Sequence, residues 1–95
     1  MPKGYIIARV DIKDADAYKK YAEAASKAMA TYGGKPLARG GRFEELEGRA
    51  RARNVVLEFE SFDAAHRYYH SSEYQAAKAF REGAADMDIV LVEGA

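Results

Sequence analysis

The feature of this sequence best suited to chemistry is a pair of glycines between two arginines, at Arg39-Gly40-Gly41-Arg42. Glycine lets the backbone come close to a ligand, and a guanidinium binds a carboxylate or phosphate through two parallel hydrogen bonds. Arg39 is therefore a candidate for anchoring an anionic ligand. Two other interpretations stay open: the glycines only bend the chain, or Arg39 pairs with Glu44 or Glu58. A single Arg-Gly-Gly without interleaved aromatic residues does not indicate RNA binding.

Tyrosine is unusually frequent, with seven tyrosines and no tryptophan in 95 residues. Their hydroxyls could serve a ligand or a proton transfer in a pocket between helices and a sheet. The alternative is structural, because a tyrosine ring often fills the edge of a core while its hydroxyl reaches water or a carbonyl. Five lie on or near the helix faces that we expect to point inward: Tyr18, Tyr21, Tyr32, Tyr69 and Tyr74.

The two histidines, His66 and His70, lie one helical turn apart, a spacing that two metal ligands on a helix can have. No third histidine, no cysteine and no carboxylate at a recognisable partner spacing accompanies them, so we predict neither a metal site nor haem. We expect His66 to line the boundary between a helix and the sheet. The sequence also lacks a nucleophile elbow and a phosphate-binding glycine loop, and we expect no cofactor and assign no catalytic residue. The candidate ligand-binding residues are Tyr18, Arg39, His66, Tyr69 and Tyr74.

Composition is that of a soluble protein, with 48% hydrophobic and 32% charged residues. We expect residues 1–95 to form one domain, because single domains typically hold about 100 to 150 residues. Fifteen basic and fifteen acidic residues cancel, which argues against a nucleic-acid partner. No apolar stretch is long enough for a membrane span, no signal peptide is evident and there is no cysteine, so we expect a cytoplasmic protein without a membrane partner.

Four segments have the composition of strands, and a helix with one apolar stripe follows the first of them. Asp14 is the expected N-cap of this helix, because its carboxylate can accept an amide of the first turn. Gly33-Gly34 ends the helix, since glycine readily takes the left-handed conformation at a helix C-terminus. We expect a bulge or a sharp bend at Gly40-Gly41. The strand segments are residues 5–10, 35–41, 53–60 and 88–92.

Two shorter helices are predicted between the third and fourth strands. Ser61 is the expected N-cap of the first, and Ser71 or Ser72 that of the second. The order strand, helix, strand, strand, helical pair, strand is that of a split βαβ unit. We therefore predict an α+β fold of ferredoxin-like βαββαβ topology, with a four-stranded antiparallel sheet and the helices on one face. The inward face of the first short helix is expected to carry Phe62, Ala65, His66 and Tyr69.

Both faces of the predicted sheet are largely apolar. The first strand has Ile7 on one side and Ile6 and Ala8 on the other. Because the helices cover only one face, a second copy of the chain is the simplest cover for the other, and we predict a homodimer. Arg9 and Glu58 interrupt the apolar pattern on neighbouring strands. We expect them to share a face and form an ion pair; the alternative is that each points outward at a strand end.

A specific ordered set of motifs is spread over essentially the whole chain: Tyr21, Tyr32 to Gly41, Leu46 to Gly48, Val55 to Phe59, Ala65 to Tyr69, Ser72 to Gln75, Arg81 and Val92 to Gly94. Together these motifs closely resemble the domain of unknown function 1330 family (DUF1330). This family is similar in fold to the dimeric α/β barrel superfamily, in which two ferredoxin-like sheets face each other. The resemblance implies that architecture and dimerisation. It implies no reaction, because the barrel relatives range from cofactor-independent monooxygenases to isomerases and haem proteins.

The working hypothesis is a homodimer that binds a small organic molecule, carboxylated if Arg39 anchors it, between each sheet and its helices. As an enzyme it would carry out a cofactor-independent oxygenation or isomerisation, with a tyrosine or His66 handling protons. The alternative is a non-catalytic dimer that serves assembly or regulation. A deep pocket reaching Arg39, His66 and Tyr69 favours the first hypothesis, and a fully packed helix–sheet interface favours the second.

Overall fold

A computed structural model of the protein describes residues 2–95. The sheet has the strand order β2-β3-β1-β4, and every neighbouring pair of strands is antiparallel. The three helices pack against one face of this sheet. The predicted α+β fold of ferredoxin-like βαββαβ topology is therefore confirmed. The elements are β1 (Gly4–Ile12), α1 (Ala15–Thr31), β2 (Lys35–Arg39), β3 (Arg53–Phe59), α2 (Phe62–His70), α3 (Ser72–Phe80) and β4 (Ala85–Glu93).

The ends of α1 are set by local chemistry, as the sequence predicted. Asp14 is the N-cap, and its carboxylate accepts the amide of Ala17 at 3.2 Å. After the helix, Gly33 has a φ of +76°, which only glycine adopts without strain. The amide of Gly34 donates to the carbonyl of Met29 at 2.9 Å, which completes a Schellman motif. The helix therefore ends where β2 must begin.

The core lies between the inner face of the sheet and the three helices. Alternate residues of β1 are buried against the helices: Ile6 and Val10 are 2% and 0% exposed. Phe59 from β3 is 1% exposed, and its ring lies 5.1 Å from that of Tyr68 in α2. Tyr74 of α3 stacks on Tyr68 in turn, with 5.0 Å between ring centroids. The inner face of the sheet and all helices thus share one hydrophobic core.

The face that α2 buries differs from the predicted one. The buried residues are Ala64, Ala65 and Tyr68, whereas His66 is exposed. One residue of helical rotation is about 100°, and Tyr68 and Tyr69 offer adjacent aromatic faces in so short a helix. The packing of Tyr68 between neighbouring aromatic rings decides which of the two faces points inward. The N-caps of both short helices, Ser61 and Ser71, agree with the prediction.

The outer face of the sheet is divided into an apolar and a polar half. Ile7 lies between Val56 of β3 and Val90 of β4, and Tyr5 lies beside Val92. We call these five residues the outer apolar patch; Val90 and Val92 are 54% and 43% exposed. The other half of the same face carries charged side chains from β1 and β4. In residues 2–95 no helix is long and apolar enough to cross a membrane.

The predicted ion pair between Arg9 and Glu58 is wrong, although both side chains are on the outer face. The antiparallel register places Glu58 beside Tyr5, four residues from Arg9 along β1. Glu58 accepts a hydrogen bond from the Tyr5 hydroxyl at 3.2 Å and pairs with Lys35 at 3.6 Å. Arg9 donates instead to the carbonyl of Arg49. The sequence identified the shared face, whereas the register decided the partners.

Residues 40–52, which we call the arm, connect β2 to β3 without regular structure. The bend expected at Gly40 is present, with a φ of +69°, and β2 ends one residue before it. The bulge in this strand lies elsewhere, between Pro36 and Ala38. The arm is held against the polar half of the outer face by Arg51, which binds Asp11 at 2.8 Å and Asp88 at 2.9 Å.

Candidate functional site

A cavity of about 70 Å³ lies between α1 and the inner face of the sheet. We call it the inner pocket. Its walls come from every element of the fold, and most of them are apolar side chains, among them Ile6, Ala25, Met29 and Leu57. The small alanines of α1 leave this space, since the helix turns Ala22 and Ala25 toward the sheet where larger residues would fill it. The pocket therefore exists because small side chains of α1 leave the interface between this helix and the sheet incompletely filled.

Two arginines, Arg39 and Arg53, bring positive charge to this apolar space. In the register of β2 with β3, Arg39 lies opposite Val55, so Arg53 is its diagonal neighbour two residues along β3. Such neighbours lie within reach of each other's long side chains. Neither arginine forms an ion pair with any of the residues 2–95. Glu58, one of the partners considered for Arg39, is engaged on the outer face of the sheet.

The guanidinium of Arg53 is fixed by its surroundings. It lies over the ring of Tyr18, with 5.7 Å from Cζ to the ring centroid. On another side it fills the space where a side chain at position 40 would be, so any residue other than Gly40 would collide with it. Its Nε is buried and has no hydrogen-bond partner in the described part of the chain. The glycine at the end of β2 therefore makes room for an arginine of β3.

A group of tyrosines lines the inner pocket on the helix side. Tyr18 and Tyr21 of α1 have ring centroids 5.3 Å apart. The hydroxyls of Tyr21 and Tyr74 lie 2.9 Å apart and form a buried hydrogen bond between α1 and α3. Burial, together with the neighbouring tyrosines, raises the pKa of Tyr21 far above the ordinary tyrosine value, and burial also raises that of Tyr68. These phenols therefore stay protonated and act as hydrogen-bond donors.

Arg81, at the C-terminus of α3, lies behind this tyrosine group. Its guanidinium is 5.3 Å from the ring centroid of Tyr21, and its Nε is buried without a hydrogen-bond partner in residues 2–95.

The structure brings together three of the five predicted ligand-binding residues. Tyr18, Arg39 and Tyr74 line the inner pocket. Tyr69 instead lines a second cavity of about 250 Å³ at the β4 edge, and its hydroxyl accepts from Lys78 at 3.4 Å. His66 lines neither cavity; it is exposed and stacks on His70, with 4.3 Å between the ring centroids.

The residue that sequence reasoning missed is Arg53. It was read as the first residue of a strand, and its side chain was given no role. The signal that could have found it is the alternation in β3: Phe59, Leu57 and Val55 share the inner face, and position 53 follows at the same period of two. Within residues 2–95 no group of three or more histidine, cysteine, aspartate or glutamate side chains is arranged to hold a metal ion.

The fold is shared with several solved structures. RPA0582, a protein of unknown function from Rhodopseudomonas palustris, is 18% identical with a TM-score of 0.78, covering 99% of this chain and 83% of that chain. A dimeric ferredoxin-like protein of unknown function from Thermobifida fusca YX is 20% identical with a TM-score of 0.65, covering 97% and 91%. SnoaB, a cofactor-independent oxygenase from Streptomyces nogalater, is 10% identical with a TM-score of 0.62, covering 97% and 92%.

At these identities the structural similarity establishes the fold alone. No curated protein sequence matches the chain. The sequence model described as Domain of unknown function (DUF1330) matches residues 3–95, which is almost the whole chain. The resemblance seen in the sequence motifs is thereby confirmed, and this protein belongs to the DUF1330 family.

Proposed function

We propose that this protein is a homodimer that binds a small organic molecule in the inner pocket of each subunit. The observation that carries the binding proposal is the unfilled space between α1 and the sheet, which is lined by tyrosines and by two arginines. Protein cores are normally packed to crystal density, whereas ligand pockets are apolar with a few placed polar groups. A purely structural assembly module needs no such space, so the cavity favours ligand binding over that alternative.

The dimer is supported by the outer apolar patch. A sheet face exposed to water normally carries polar residues at every second position, yet Tyr5, Ile7 and Val56 are flanked by the exposed Val90 and Val92. A second copy placed on this patch would remove it from water. The similar protein from Thermobifida fusca YX is itself dimeric.

If the pocket is catalytic, we propose a reaction that needs no cofactor, an oxygenation or an isomerisation. Tyr21 and Tyr68, whose pKa values are raised by burial, are suited to donate a hydrogen bond to an oxygen atom of a substrate. They are poorly suited to remove a proton, because burial disfavours the phenolate. His66 does not line the pocket, so it is not in a position to carry protons to or from a ligand bound there. The structural similarity to a cofactor-independent oxygenase makes oxygen uptake the first activity to measure.

Native mass spectrometry of freshly purified protein tests the binding proposal directly, since a retained molecule adds its mass to each subunit. An NMR fragment screen then locates any bound molecule, and we expect amide shifts along α1 and β3. Ala22→Leu fills the inner pocket and should weaken binding, whereas Ala30→Leu on the exposed side of α1 is the matched control. Fragments that shift only residues outside the inner pocket would contradict the proposal.

Analytical ultracentrifugation tests the dimer. Val90→Asp places a charge within the outer apolar patch, and the Val90 side chain is already exposed in the single chain, so the subunit should still fold. We expect this variant to sediment as a folded monomer. Lys19→Asp, on the exposed face of α1, should leave the dimer intact. A dimeric Val90→Asp protein would show that the interface lies on another surface.

A further inference from the structure

Resting on the proposed function of the inner pocket, we propose that its ligand is a short-chain carboxylate whose anionic end is held by Arg53 together with Arg39. The first observation is the state of Arg53. Its Nε is buried without a hydrogen-bond partner, and it has no ion pair within residues 2–95. Arg53 as a whole is half-buried, but a buried donor atom such as its Nε normally has a partner, because losing water without gaining a hydrogen bond is costly. An anion in the pocket supplies that partner.

The surroundings keep this guanidinium at the pocket. The ring of Tyr18 covers it at 5.7 Å, and the absence of a side chain at Gly40 gives it the space that it occupies. The ring attracts the positive charge but accepts no in-plane N–H hydrogen bond, so the donors at the guanidinium edge stay available. The contact with Tyr18 thus orients Arg53 without satisfying it.

The second arginine completes the binding site. Arg39 reaches the same pocket from β2, as the diagonal neighbour of Arg53. A planar carboxylate has two oxygen atoms and matches the paired N–H donors of one guanidinium, with further donors from the other. Arg39 is exposed, so it closes the outer side of the site, whereas the half-buried Arg53 forms its inner end. Gly40, the first glycine of the Arg-Gly-Gly motif, therefore makes room for an arginine from the next strand.

The other walls of the pocket determine the size and polarity of the part of the ligand beyond its carboxylate. Behind the arginines the walls are apolar, with Ala8, Ala25 and Met29 among them. The pocket volume of about 70 Å³ is roughly half that of an engineered cavity of about 150 Å³ that admits benzene. A chain of a few carbon atoms fits this space. A carboxylate with a short apolar tail is thus the ligand class, and the tyrosine hydroxyls lie beyond it for a further oxygen.

Chemical-shift titration of the 15N-labelled full-length protein tests this inference with three probes: butyrate, its uncharged analogue butyramide, and inorganic phosphate. We expect butyrate to shift pocket amides with an affinity at least about tenfold higher than that of butyramide, since charge-assisted hydrogen bonds are the strong ones. Phosphate should bind more weakly than butyrate, because it offers the apolar walls nothing. Tighter binding of phosphate would overturn the carboxylate assignment.

Substitutions assign the preference to the arginines. Arg53→Gln should lose the preference for butyrate over butyramide while butyramide still binds. Arg53→Lys keeps the charge but loses the paired donors, and should fall between the two; it also serves if Arg53→Gln fails to fold, as circular dichroism would show. Arg67→Gln removes an exposed arginine of α2 away from the pocket and should change nothing.

The outcomes separate this inference from the proposal beneath it. Equal affinities of butyrate and butyramide for the unsubstituted protein leave the pocket standing and overturn the arginine site. A butyrate preference that survives in both Arg53 variants overturns the role of Arg53. If neither probe shifts the pocket amides at high concentration, the arginine site and the proposed pocket both fail.

Discussion

Replacing Tyr21 or Tyr74 by phenylalanine removes one hydroxyl of a buried pair and leaves the other without a partner. The two oxygen atoms are 2.9 Å apart, and the residues are 7% and 1% exposed. The guanidinium of Arg81 lies beside this pair, with its Cζ 5.3 Å from the ring centroid of Tyr21. An orphaned hydroxyl therefore cannot turn to water without opening the contact between α1 and α3.

The magnitude follows from this geometry. Leaving a buried polar group unsatisfied costs about 1 to 3 kcal/mol, whereas removing both partners together is close to neutral. We therefore expect each single substitution to lower the free energy of unfolding by about 1 to 2 kcal/mol. The double substitution should cost less than the sum of the two, with a coupling free energy of about 1 kcal/mol or more.

Urea unfolding followed by circular dichroism, at one fixed protein concentration, measures these free energies in a protein proposed to be dimeric. Tyr32→Phe is the matched control, because the Tyr32 hydroxyl donates to Glu73 at 3.3 Å in an exposed position. That variant should stay within about 0.5 kcal/mol of the parent protein. Single core variants as mild as this control, or strictly additive costs in the double variant, would refute the reasoning.

Three further perturbations test the fold. Gly34→Ala places a methyl group 2.5 Å from the buried ring of Phe59 and should lower the free energy of unfolding by about 1 to 3 kcal/mol. Gly33→Ala should lower it less, because the new methyl group meets no neighbour and only the φ of +76° is strained. The reverse order of the two variants in urea unfolding contradicts this prediction. Ser71→Ala removes a buried N-cap and should cost about 1 kcal/mol, whereas the exposed Ser72→Ala should be nearly neutral in the same measurement. The Asp11 carboxyl should titrate below 3.8 by NMR, because the amide of Ala52 and, less strongly, the guanidinium of Arg51 lower its pKa. Its contribution to stability is therefore present above pH 3.8 and is lost as the pH falls through the lower folded-state pKa. A titration midpoint at or above 3.8 contradicts the contact between Asp11 and the arm.

Much of the candidate site could be read from the sequence because it depends on local patterns. Tyr18 and Tyr74 were placed on inward helix faces by helical spacing, and both line the inner pocket. Arg39 was chosen for its position at the end of a strand beside two glycines. Such features require only the period of an element and its end signals, which neighbouring residues specify.

The rest of the site depended on contacts between residues far apart in the sequence. His66 was expected to face the sheet, but the packing of Tyr68 against Phe59 rotated α2 and left the histidine exposed. Arg53 had no local signal of function. Arg53 becomes a candidate ligand-binding residue only in the folded structure, where the register of β2 with β3 brings Arg39 beside it and its guanidinium lies against Gly40.

The order of the elements, their caps and the assignment of strand residues to one sheet face or the other were determined by the sequence itself, because hydrogen bonds at helix ends and alternation along a strand act over a few residues. Pairing across strands and the rotation of short helices were decided only by tertiary structure. Arg9 and Glu58 illustrate the difference: alternation put them on one face, and a register set by all the strand contacts together kept them apart. The inner pocket has the same origin, since it is the space that remains once the whole core has packed.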